Sequence, residues 1–327
     1  MDTRELGRTG IEISPLGLGC WQFSEGKGLV GGFWPALEPD VVQGIVHTSL
    51  EGGITWFDTA EAYGGGKSEA ALSRALKAEG KEPGSVVVAT KWMPFGRTAG
   101  NIAKTIGDRI AYLDGYPIDL YQVHQAMGAL ATHAAEMDAM ADLVEAGKVK
   151  SVGISNFNAR QMRAAHAALA KRGLPLASNQ MKYSLLDRRI EGNGVMDAAK
   201  ELGVTIIAYS PLAQGLLSGK FHDDPGLIKK RPGPRKWMPA FRDSGLKRSK
   251  PVVDVVRRIA EKHGVTPSQV ALNWLVTFHG DTVVAIPGAS KVKHAEENVG
   301  ALSFQLSDAE LAEIDAVSRP FIEKAGG

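Results

Sequence analysis

Residues 54–63 read ITWFDTAEAY, and this stretch decides how the chain is organised. Its first half is a short run of apolar, β-branched and aromatic residues, which predicts a buried strand. Its second half turns to small and acidic residues and ends at Tyr63, before a glycine cluster typical of a loop. The strand therefore ends by presenting a carboxylate, Asp58, and a phenol, Tyr63. Because ionisable groups are rarely buried without a partner, we expect a basic residue beside them.

The same succession of a strand and a helix recurs along the chain. Strand-like runs lie at residues 16–20, 54–58, 86–90, 119–123, 149–154, 176–181, 204–209 and 282–286. Helical patterns lie at residues 39–52, 67–79, 100–113, 132–147, 158–172, 189–202 and 252–279. We expect the last pattern to be two helices broken at His263-Gly264, with Thr266 as N-cap and Pro267 at the first helical position.

Eight strands alternating with helices predict parallel β/α units, because a parallel connection needs a crossover. The count matches a (β/α)8 TIM barrel. A doubly wound sheet is the alternative, but no strand-like run is followed by a G-x-G-x-x-G sequence. No linker divides the chain, so residues 1–327 are expected to form one barrel domain. The turn signal within residues 3–14 predicts a β-hairpin ahead of the barrel.

Composition excludes several classes of protein. The chain is 44% hydrophobic and 23% charged, which is ordinary for a soluble globular protein. A net charge of +2 provides no global field for nucleic acid. No run approaches about 18 apolar residues, and no signal-peptide pattern opens the chain. A single cysteine, Cys20, fits a reducing compartment. We therefore expect a cytoplasmic protein without a nucleic-acid or membrane partner.

Four titratable residues follow consecutive strands. Asp58 and Tyr63 follow the second strand, Lys91 the third and His124 the fourth. Barrel enzymes place their chemistry at these strand ends, and neighbouring strands lie about 4.8 Å apart, so the four side chains can meet. Each could instead be a separately satisfied polar residue. Their complementary types at neighbouring positions favour an active site, with Lys91 as the expected basic partner.

These four residues indicate proton transfer to a carbonyl oxygen. Lys91 is expected to lower the pKa of Tyr63 from its usual value of about 10, and Asp58 to hold Lys91 charged. His124 could hydrogen-bond the substrate oxygen, leaving Tyr63 as the general acid. None of the four can carry a hydride, so a redox cofactor is required. The histidines and the cysteine show no metal-ligand spacing, so no metal site is expected.

Seven strings strengthen this interpretation. They are GITWFDTAEAYG, VVATKW, DLYQVH, GISNF, NQMKYS, AYSPLAQGLLSGK and AIPGASKVKHAEEN, in this order along the chain. Together they closely resemble the aldo-keto reductases from about residue 6 to residue 318, and most of all pyridoxal-reductase-like members from bacteria and plants. The resemblance implies a barrel that binds a nicotinamide nucleotide without a Rossmann fold. It also implies that Asp58, Tyr63, Lys91 and His124 form the catalytic tetrad, with Tyr63 as proton donor.

The resemblance further implies a nucleotide site. Residues matched to the nicotinamide end are Ser155, Asn156 and Gln180 for the carboxamide and Tyr209 for stacking on the ring. Residues matched to the pyrophosphate are Ser210, Leu212, Gln214 and Gly215. Residues matched to the adenosine end are Gly288, Ser290, Lys291, His294, Glu297 and Asn298. A serine and a lysine at a helix N-terminus suit a phosphate, so NADP(H) is preferred. NAD(H) is the alternative, because the family often has Arg where Lys291 stands and Gln where His294 stands.

Aromatic residues at the barrel mouth are expected to choose the substrate. Trp21 and Trp34 lie in the loop after the first strand, and Trp92 follows Lys91. These aromatic residues predict that the substrate is an apolar or ring-shaped carbonyl compound, with pyridoxal as one candidate. The alternative is a packed lid that does not touch the substrate.

Residues 229–250 carry nine Lys or Arg against a single Asp. A solvated loop, a lid over the cofactor phosphates and a nucleic-acid surface are the three interpretations of this stretch. Its position after the seventh strand favours the lid.

The leading prediction is NADPH-dependent reduction of aldehydes or ketones to alcohols. The alternative is a nucleotide-sensing binding subunit without turnover, since potassium-channel β subunits share the fold and the cofactor site. The intact tetrad is compatible with both functions. The sequence makes no prediction of the oligomeric state.

Overall fold

A two-stranded antiparallel hairpin precedes the main sheet in the computed structural model, which describes residues 2–27, 33–230 and 234–322. The strands are β1 (Arg4–Glu5) and β2 (Glu12–Ile13). Leu6 and Ile13 are buried against inward-facing side chains of the main sheet. The predicted hairpin is therefore confirmed, and it covers the end of the sheet at which the strands begin.

Eight parallel strands form the main sheet, and their spatial order is their order along the chain. They are β3 (Leu18–Gly19), β4 (Trp56–Asp58), β5 (Val87–Trp92), β6 (Leu120–Val123), β7 (Ser151–Ser155), β8 (Leu176–Lys182), β9 (Thr205–Tyr209) and β10 (Val283–Ala285). Bridges from Leu16 to Ala285 and from Gly19 to Gly288 join the first strand to the last. The sheet thus closes into the predicted (β/α)8 barrel.

Helices surround this barrel. They are α1 (Pro39–Glu51), α2 (Lys67–Ala78), α3 (Gly100–Leu113), α4 (His133–Glu145), α5 (Ala159–Ala170), α6 (Arg189–Gly192), α7 (Val195–Leu202), α8 (Lys220–Asp223), α9 (Asp243–His263), α10 (Pro267–Thr277), α11 (Val292–Gly300) and α12 (Asp308–Ser318). As predicted, the Thr266 side chain caps α10 and Pro267 is its first residue. No helix within the described ranges is long and apolar enough to cross a membrane.

Two helix predictions are wrong in their bounds. Residues 189–202 form two helices, because Gly194 adopts a left-handed conformation between them. Helix α9 starts at Asp243, nine residues before the predicted start at 252. Pro251 lies inside α9, and a proline inside a helical pattern normally marks a helix boundary. The second half of the basic stretch is therefore helical.

Alternation along the barrel strands separates two hydrophobic layers. Trp56, Ala89 and Leu120 point inward and pack with Leu6 and Ile13 of the hairpin region. The intervening residues, such as Phe57, Val88 and Tyr121, belong to the larger core between the sheet and the helices. Successive strand residues point to opposite faces, so the positions two residues after the inward apolar set also point inward. These positions carry Asp58, Lys91 and Gln122, which lie between the apolar floor and the barrel mouth.

Candidate active site

A cavity of about 460 Å³ opens at the C-terminal ends of the strands. Its lining includes predicted residues from loops on every side of the mouth. These are Trp21, Trp34, Asp58, Tyr63, His124, Ser155, Asn156, Gln180, Tyr209, Ser210, Leu212, Gln214, Gly215, Gly288, Ser290, His294, Glu297 and Asn298. The fold therefore brings both predicted groups, the tetrad and the nucleotide residues, to one place.

The Lys91 side chain contacts both Asp58 and Tyr63. Its ammonium lies 2.5 Å from Asp58 Oδ1 and 3.4 Å from the Tyr63 hydroxyl, and it donates to the Thr59 carbonyl oxygen at 2.7 Å. The side chains of Lys91 and Asp58 are 0% and 1% exposed. Lys91 lies behind Tyr63 and outside the cavity lining. The basic partner expected from the sequence is therefore present, and it lies on the protein side of the phenol.

Burial decides the ionisation of this group. Burial raises the pKa of Tyr63, although the ammonium of Lys91 acts in the opposite direction. The expectation that Lys91 brings the pKa of Tyr63 below its usual range is therefore wrong. Burial also disfavours the charged form of Lys91, but Asp58 and Tyr63 outweigh it and raise the pKa of the ammonium. At neutral pH the site holds a protonated phenol beside a charged lysine.

His124 faces Tyr63 across the cavity floor. Their ring centroids are 5.7 Å apart and nearly perpendicular, at 81°. Burial, assisted by the charge of Lys91, holds the pKa of His124 well below its usual range. Its buried Nδ1 has no hydrogen-bond partner within the described residues. A neutral imidazole with a free polar atom is suited to hydrogen-bond a substrate oxygen beside the phenol.

Two glutamines hold the other oxygen of Asp58. Gln122 and Gln180 donate to Asp58 Oδ2 at 3.1 and 2.9 Å, from strands β6 and β8. Both side chains are buried inside the barrel. Asp58 thus accepts hydrogen bonds on both oxygens, which fixes its orientation toward Lys91. Gln122 was not predicted, although it lies two residues before His124 and therefore points to the same face of β6.

The residues matched to the nicotinamide end form a connected polar group. Asn156 Nδ2 donates to Ser155 Oγ at 3.1 Å and to Gln125 Oε1 at 3.2 Å. The Tyr209 hydroxyl donates to Asn156 Oδ1 at 3.0 Å. Asn156 itself has a left-handed backbone, with φ of 63°. These contacts orient an amide, a hydroxyl and an aromatic ring around the same part of the cavity.

The loop after β9 has a strained backbone. Ser210, Ala213 and Gln214 have φ values of 52°, 48° and 61°, and Gly215 follows at 93°. A left-handed conformation costs a residue other than glycine about 1–3 kcal/mol. Such strain concentrates at ligand sites, and backbone N–H groups in left-handed turns form concave anion sites. This geometry fits the pyrophosphate role implied for the loop.

The start of α11 forms the far end of the cavity. Ser290 and His294 are in contact there, with Ser290 Oγ 3.3 Å from His294 Nδ1. Glu297 and Asn298 also line the cavity, one turn further along the helix. Lys291 is exposed and stands at the N-cap of α11, outside the cavity lining. Four of these five side chains therefore face the cavity.

Aromatic side chains form another part of the cavity wall. Trp21 lies 6.1 Å from the Tyr63 ring and 5.9 Å from Trp34, measured between centroids. Arg235, from the predicted lid, lies 4.4 Å from the Trp34 ring and lines the cavity. This contact connects the loop after β3 to the segment after β9.

The assignment of Trp92 to the substrate pocket is wrong. Trp92 is fully buried and its indole N–H donates to Asn101 at 3.0 Å. Because Lys91 points into the barrel, the next residue on the strand points outward, toward the helices.

Other cavity residues were not found from the sequence. The lining also includes Gln22, Met93, Phe95, Gln125 and Lys220. Gln22 is buried and packs tightly on Gly288, where an added Cβ would lie 2.4 Å from Gln22 Oε1. Loop residues such as these carry no periodic signal.

Several buried polar atoms of cavity residues indicate that the site fits a polar ligand. Gln22 Oε1, His124 Nδ1, Gln214 Oε1 and Asn298 Nδ2 have no hydrogen-bond partner among the residues that the structure describes. Buried polar atoms without partners are uncommon. They lie on loops or helices after four different strands. A long ligand with donors and acceptors along its length, such as a dinucleotide, would satisfy them.

Comparisons with known proteins agree with this geometry. The profile of the Aldo/keto reductase family matches residues 15–319. An uncharacterized oxidoreductase of Mycobacterium tuberculosis is 38% identical over 296 residues, which cover 90% of this chain and 86% of that protein. The chloroplastic pyridoxal reductase of Arabidopsis thaliana is 33% identical over 324 residues, covering 94% of this chain and 84% of that protein.

A solved structure shares the whole architecture. The glycerol dehydrogenase of Gluconobacter oxydans superposes with a TM-score of 0.82 at 25% identity, covering 100% of this chain and 98% of the other. Both the sequence match and the structural match span nearly the full barrel, including the strand ends that carry the cavity. This chain therefore belongs to the aldo/keto reductase family of oxidoreductases.

Proposed function

We propose that this protein reduces aldehydes or ketones to alcohols with NADPH, and that Tyr63 supplies the proton. The observation that carries the proposal is the position of Lys91, within 2.5 Å of Asp58 and 3.4 Å of the Tyr63 hydroxyl, directly behind the cavity floor. When bound, NADPH supplies a hydride to the carbonyl carbon. Ser155, Asn156, Gln180 and Tyr209 would hold its nicotinamide end.

The chain's own residues then complete the reaction at the carbonyl oxygen. As the carbon gains the hydride, negative charge develops on the oxygen, and the Tyr63 hydroxyl donates its proton to it. The ammonium of Lys91 stabilises the resulting tyrosinate, and Asp58 keeps that ammonium in place. His124, as a neutral imidazole, donates a hydrogen bond to the same oxygen. The raised pKa values of Tyr63 and Lys91 and the lowered pKa of His124 give these three residues the ionisation states that the proposed reaction requires at neutral pH.

Residues of the remaining cavity wall would hold the rest of the nucleotide. The left-handed loop around Gln214 and Gly215 would hold the pyrophosphate. Ser290 and His294 at the start of α11 would face the adenosine phosphate, with Lys291 beside them. A hydroxyl and a lysine at a helix N-terminus support NADPH over NADH as the preferred cofactor.

The aromatic wall supports a ring-shaped substrate. Trp21, Trp34 and Phe95 line the cavity mouth, and Trp21 stands next to the Tyr63 ring. The relative from Arabidopsis thaliana is a pyridoxal reductase. We propose pyridoxal and aromatic aldehydes as the first compounds to test.

A panel assay with a matched pair of variants tests the proposal. NADPH oxidation is followed with pyridoxal, aromatic aldehydes, methylglyoxal and short aldoses. Tyr63→Phe should lower turnover at least about a hundredfold while nucleotide binding persists, since positioned acid catalysis contributes about 10²–10⁴. Tyr116→Phe is the control, because this tyrosine is buried outside the cavity and its hydroxyl donates to a backbone carbonyl.

Two results would count against the reductase. Unchanged turnover in Tyr63→Phe would remove Tyr63 from the acid role. NADPH binding without oxidation by any member of the panel would favour a nucleotide-sensing subunit instead.

A further inference from the structure

A buried cluster of charged side chains lies behind Asp58, Tyr63 and Lys91 and takes no direct part in the proposed proton transfer. Arg109, on α3, contacts two carboxylates: its Nη1 lies 3.1 Å from Glu61 and its Nε lies 3.2 Å from Glu69. The three side chains are 5%, 7% and 0% exposed, in the same order. We call Glu61, Glu69 and Arg109 the Arg109 cluster.

The cluster contacts both sides of the Lys91 strand end. Glu61 Oε1 accepts a hydrogen bond from the Met93 backbone N–H at 2.6 Å. Glu69 Oε1 accepts one from the Thr90 hydroxyl at 2.6 Å. Thr90 and Met93 flank Lys91 and Trp92 in the chain, so the end of β5 is held at two points.

The same cluster holds the loop that carries the phenol. Glu61 lies between Asp58 and Tyr63 in the chain, and its backbone N–H donates to the Lys91 carbonyl at 3.3 Å. Arg97 adds a second guanidinium to Glu61, at 2.5 Å. One carboxylate therefore connects the Tyr63 loop to the strand end that carries Lys91.

Buried ion pairs are weak devices for stability, because desolvating two charges costs much of what their attraction returns. Their best-attested benefit is a unique arrangement of the parts they join. Here the joined parts are the two backbone segments that place the phenol and the ammonium. No atom of the cluster lines the cavity.

We propose that Glu61 and Arg109 are positioning residues, which set the distance between the Tyr63 hydroxyl and Lys91 Nζ. This inference rests on the proposed reductase function, in which Tyr63 donates the proton. Removing the guanidinium leaves Glu61 without its buried partner, so the Asp58–Tyr63 loop shifts relative to β5. A shift of about 1 Å in a reacting group can cost about a hundredfold in rate.

A double-mutant cycle on the full-length enzyme tests the proposal. The value of kcat is expressed per nucleotide-binding site, so that unfolded protein does not count. Arg109→Met should lower this kcat about ten- to a hundredfold and change the Kd for NADPH less than about twofold. In a Tyr63→Phe background, the same substitution should lower kcat by less than about twofold, because the group that it positions is gone. A purely structural role would give the same loss in both backgrounds.

Arg188→Met is the matched control. Arg188 is 1% exposed and also bridges two carboxylates, those of Glu191 and Asp315, but it lies outside the cavity. Arg188→Met should lower the thermal stability in the same way as Arg109→Met. Its kcat per nucleotide-binding site should stay within about twofold of the wild-type value. An equal kcat loss in this control would overturn the proposal.

A second variant and a structural measurement keep the test decisive if Arg109→Met does not fold. Glu61→Gln keeps the side-chain size and removes the charge, and it should also lower kcat at least about tenfold with NADPH affinity retained. A crystal structure of either variant should show the Tyr63 hydroxyl displaced from its 3.4 Å distance to Lys91 Nζ.

The two proposals fail in different ways. If Tyr63→Phe alone is fully active, the acid role fails, and the crystal structure alone decides whether the cluster positions Tyr63. If Tyr63→Phe is inactive but Tyr63 and Lys91 keep their separation in the Arg109 and Glu61 variants, the positioning role is overturned and the acid role stands.

Discussion

Tyr63 shows how burial and a neighbouring charge compete at a single residue. Lys91 favours the tyrosinate, but the phenol is removed from water and burial dominates, so its pKa lies above its usual range. For a reductase this is useful, because the acid must hold its proton until charge develops on the substrate oxygen. In the proposed reaction, Lys91 would then stabilise the tyrosinate as it forms.

The ionisation of Tyr63 and His124 predicts the pH dependence of the proposed reduction. Reduction needs a protonated phenol and a neutral imidazole. The pKa of His124 is lowered and that of Tyr63 is raised. We therefore expect kcat for reduction to be level through neutral pH and to fall only in the alkaline range, as Tyr63 loses its proton.

The measurement is kcat for NADPH oxidation at saturating substrate across the pH range. His124→Asn should lower the level of the plateau and leave the alkaline fall, since the phenol is unchanged. A fall in kcat through neutral pH in the wild type would contradict the assignment of Tyr63 as acid.

At the scale of single elements, α2 carries a carboxylate that the fold keeps out of water. Glu69, in its first turn, is fully buried. Burial raises its pKa from 4.5 to about 7, although Arg109 and the Thr90 hydroxyl act in the opposite direction. The folded protein thus binds the proton of Glu69 more tightly than the unfolded chain does.

Glu69 should therefore make the free energy of unfolding depend on pH. The stabilisation that it contributes is fully present below about pH 4.5 and is lost as the pH rises through about 7. As the pH rises from about 4.5 to about 7, the free energy of unfolding of the wild type should fall by on the order of 3 kcal/mol more than that of Glu69→Gln. Urea unfolding of both proteins at several pH values measures the difference. Parallel curves would mean that Glu69 ionises normally when folded.

Strand β5 shows how alternation along a strand decides which side chains reach the barrel interior. Lys91 was placed correctly, because the residues at the C-terminal end of a barrel strand meet at the mouth. Trp92 was placed wrongly, because its strand neighbour Lys91 already takes the inward direction. The alternation rule was sufficient to exclude Trp92 from the pocket.

At the scale of the whole molecule, the cavity is assembled from loops that are distant in the chain. Gln22, His124, Gln214 and Asn298 follow four different strands and each has a buried polar atom without a partner among the described residues. A ligand that contacts all four connects opposite sides of the barrel mouth. Its binding should stabilise the folded molecule as a unit.

We expect NADPH to raise the melting temperature more than NADH at equal concentration. A ligand at about one hundred times its Kd adds about 2.7 kcal/mol to the free energy of unfolding. Lys291→Ala should remove most of the difference between the two nucleotides, because Lys291 stands at the N-terminus of α11 beside Ser290. Lys293→Ala, an exposed lysine of the same helix, is the control. Equal stabilisation of wild type by both nucleotides would contradict the preference for NADPH.

The sequence by itself determined the eight strands, their parallel arrangement and the four residues at consecutive strand ends. These follow from local periodicity and from the rule that parallel strands end at the same edge. The tertiary structure alone decided the Arg109 cluster, the contact of Arg235 with Trp34 and the raised pKa of Tyr63. These depend on which distant side chains exclude water from a given atom. A local apolar pattern predicts that a strand is buried, but the burial of an individual polar group depends on which loops and helices of the folded chain pack over it.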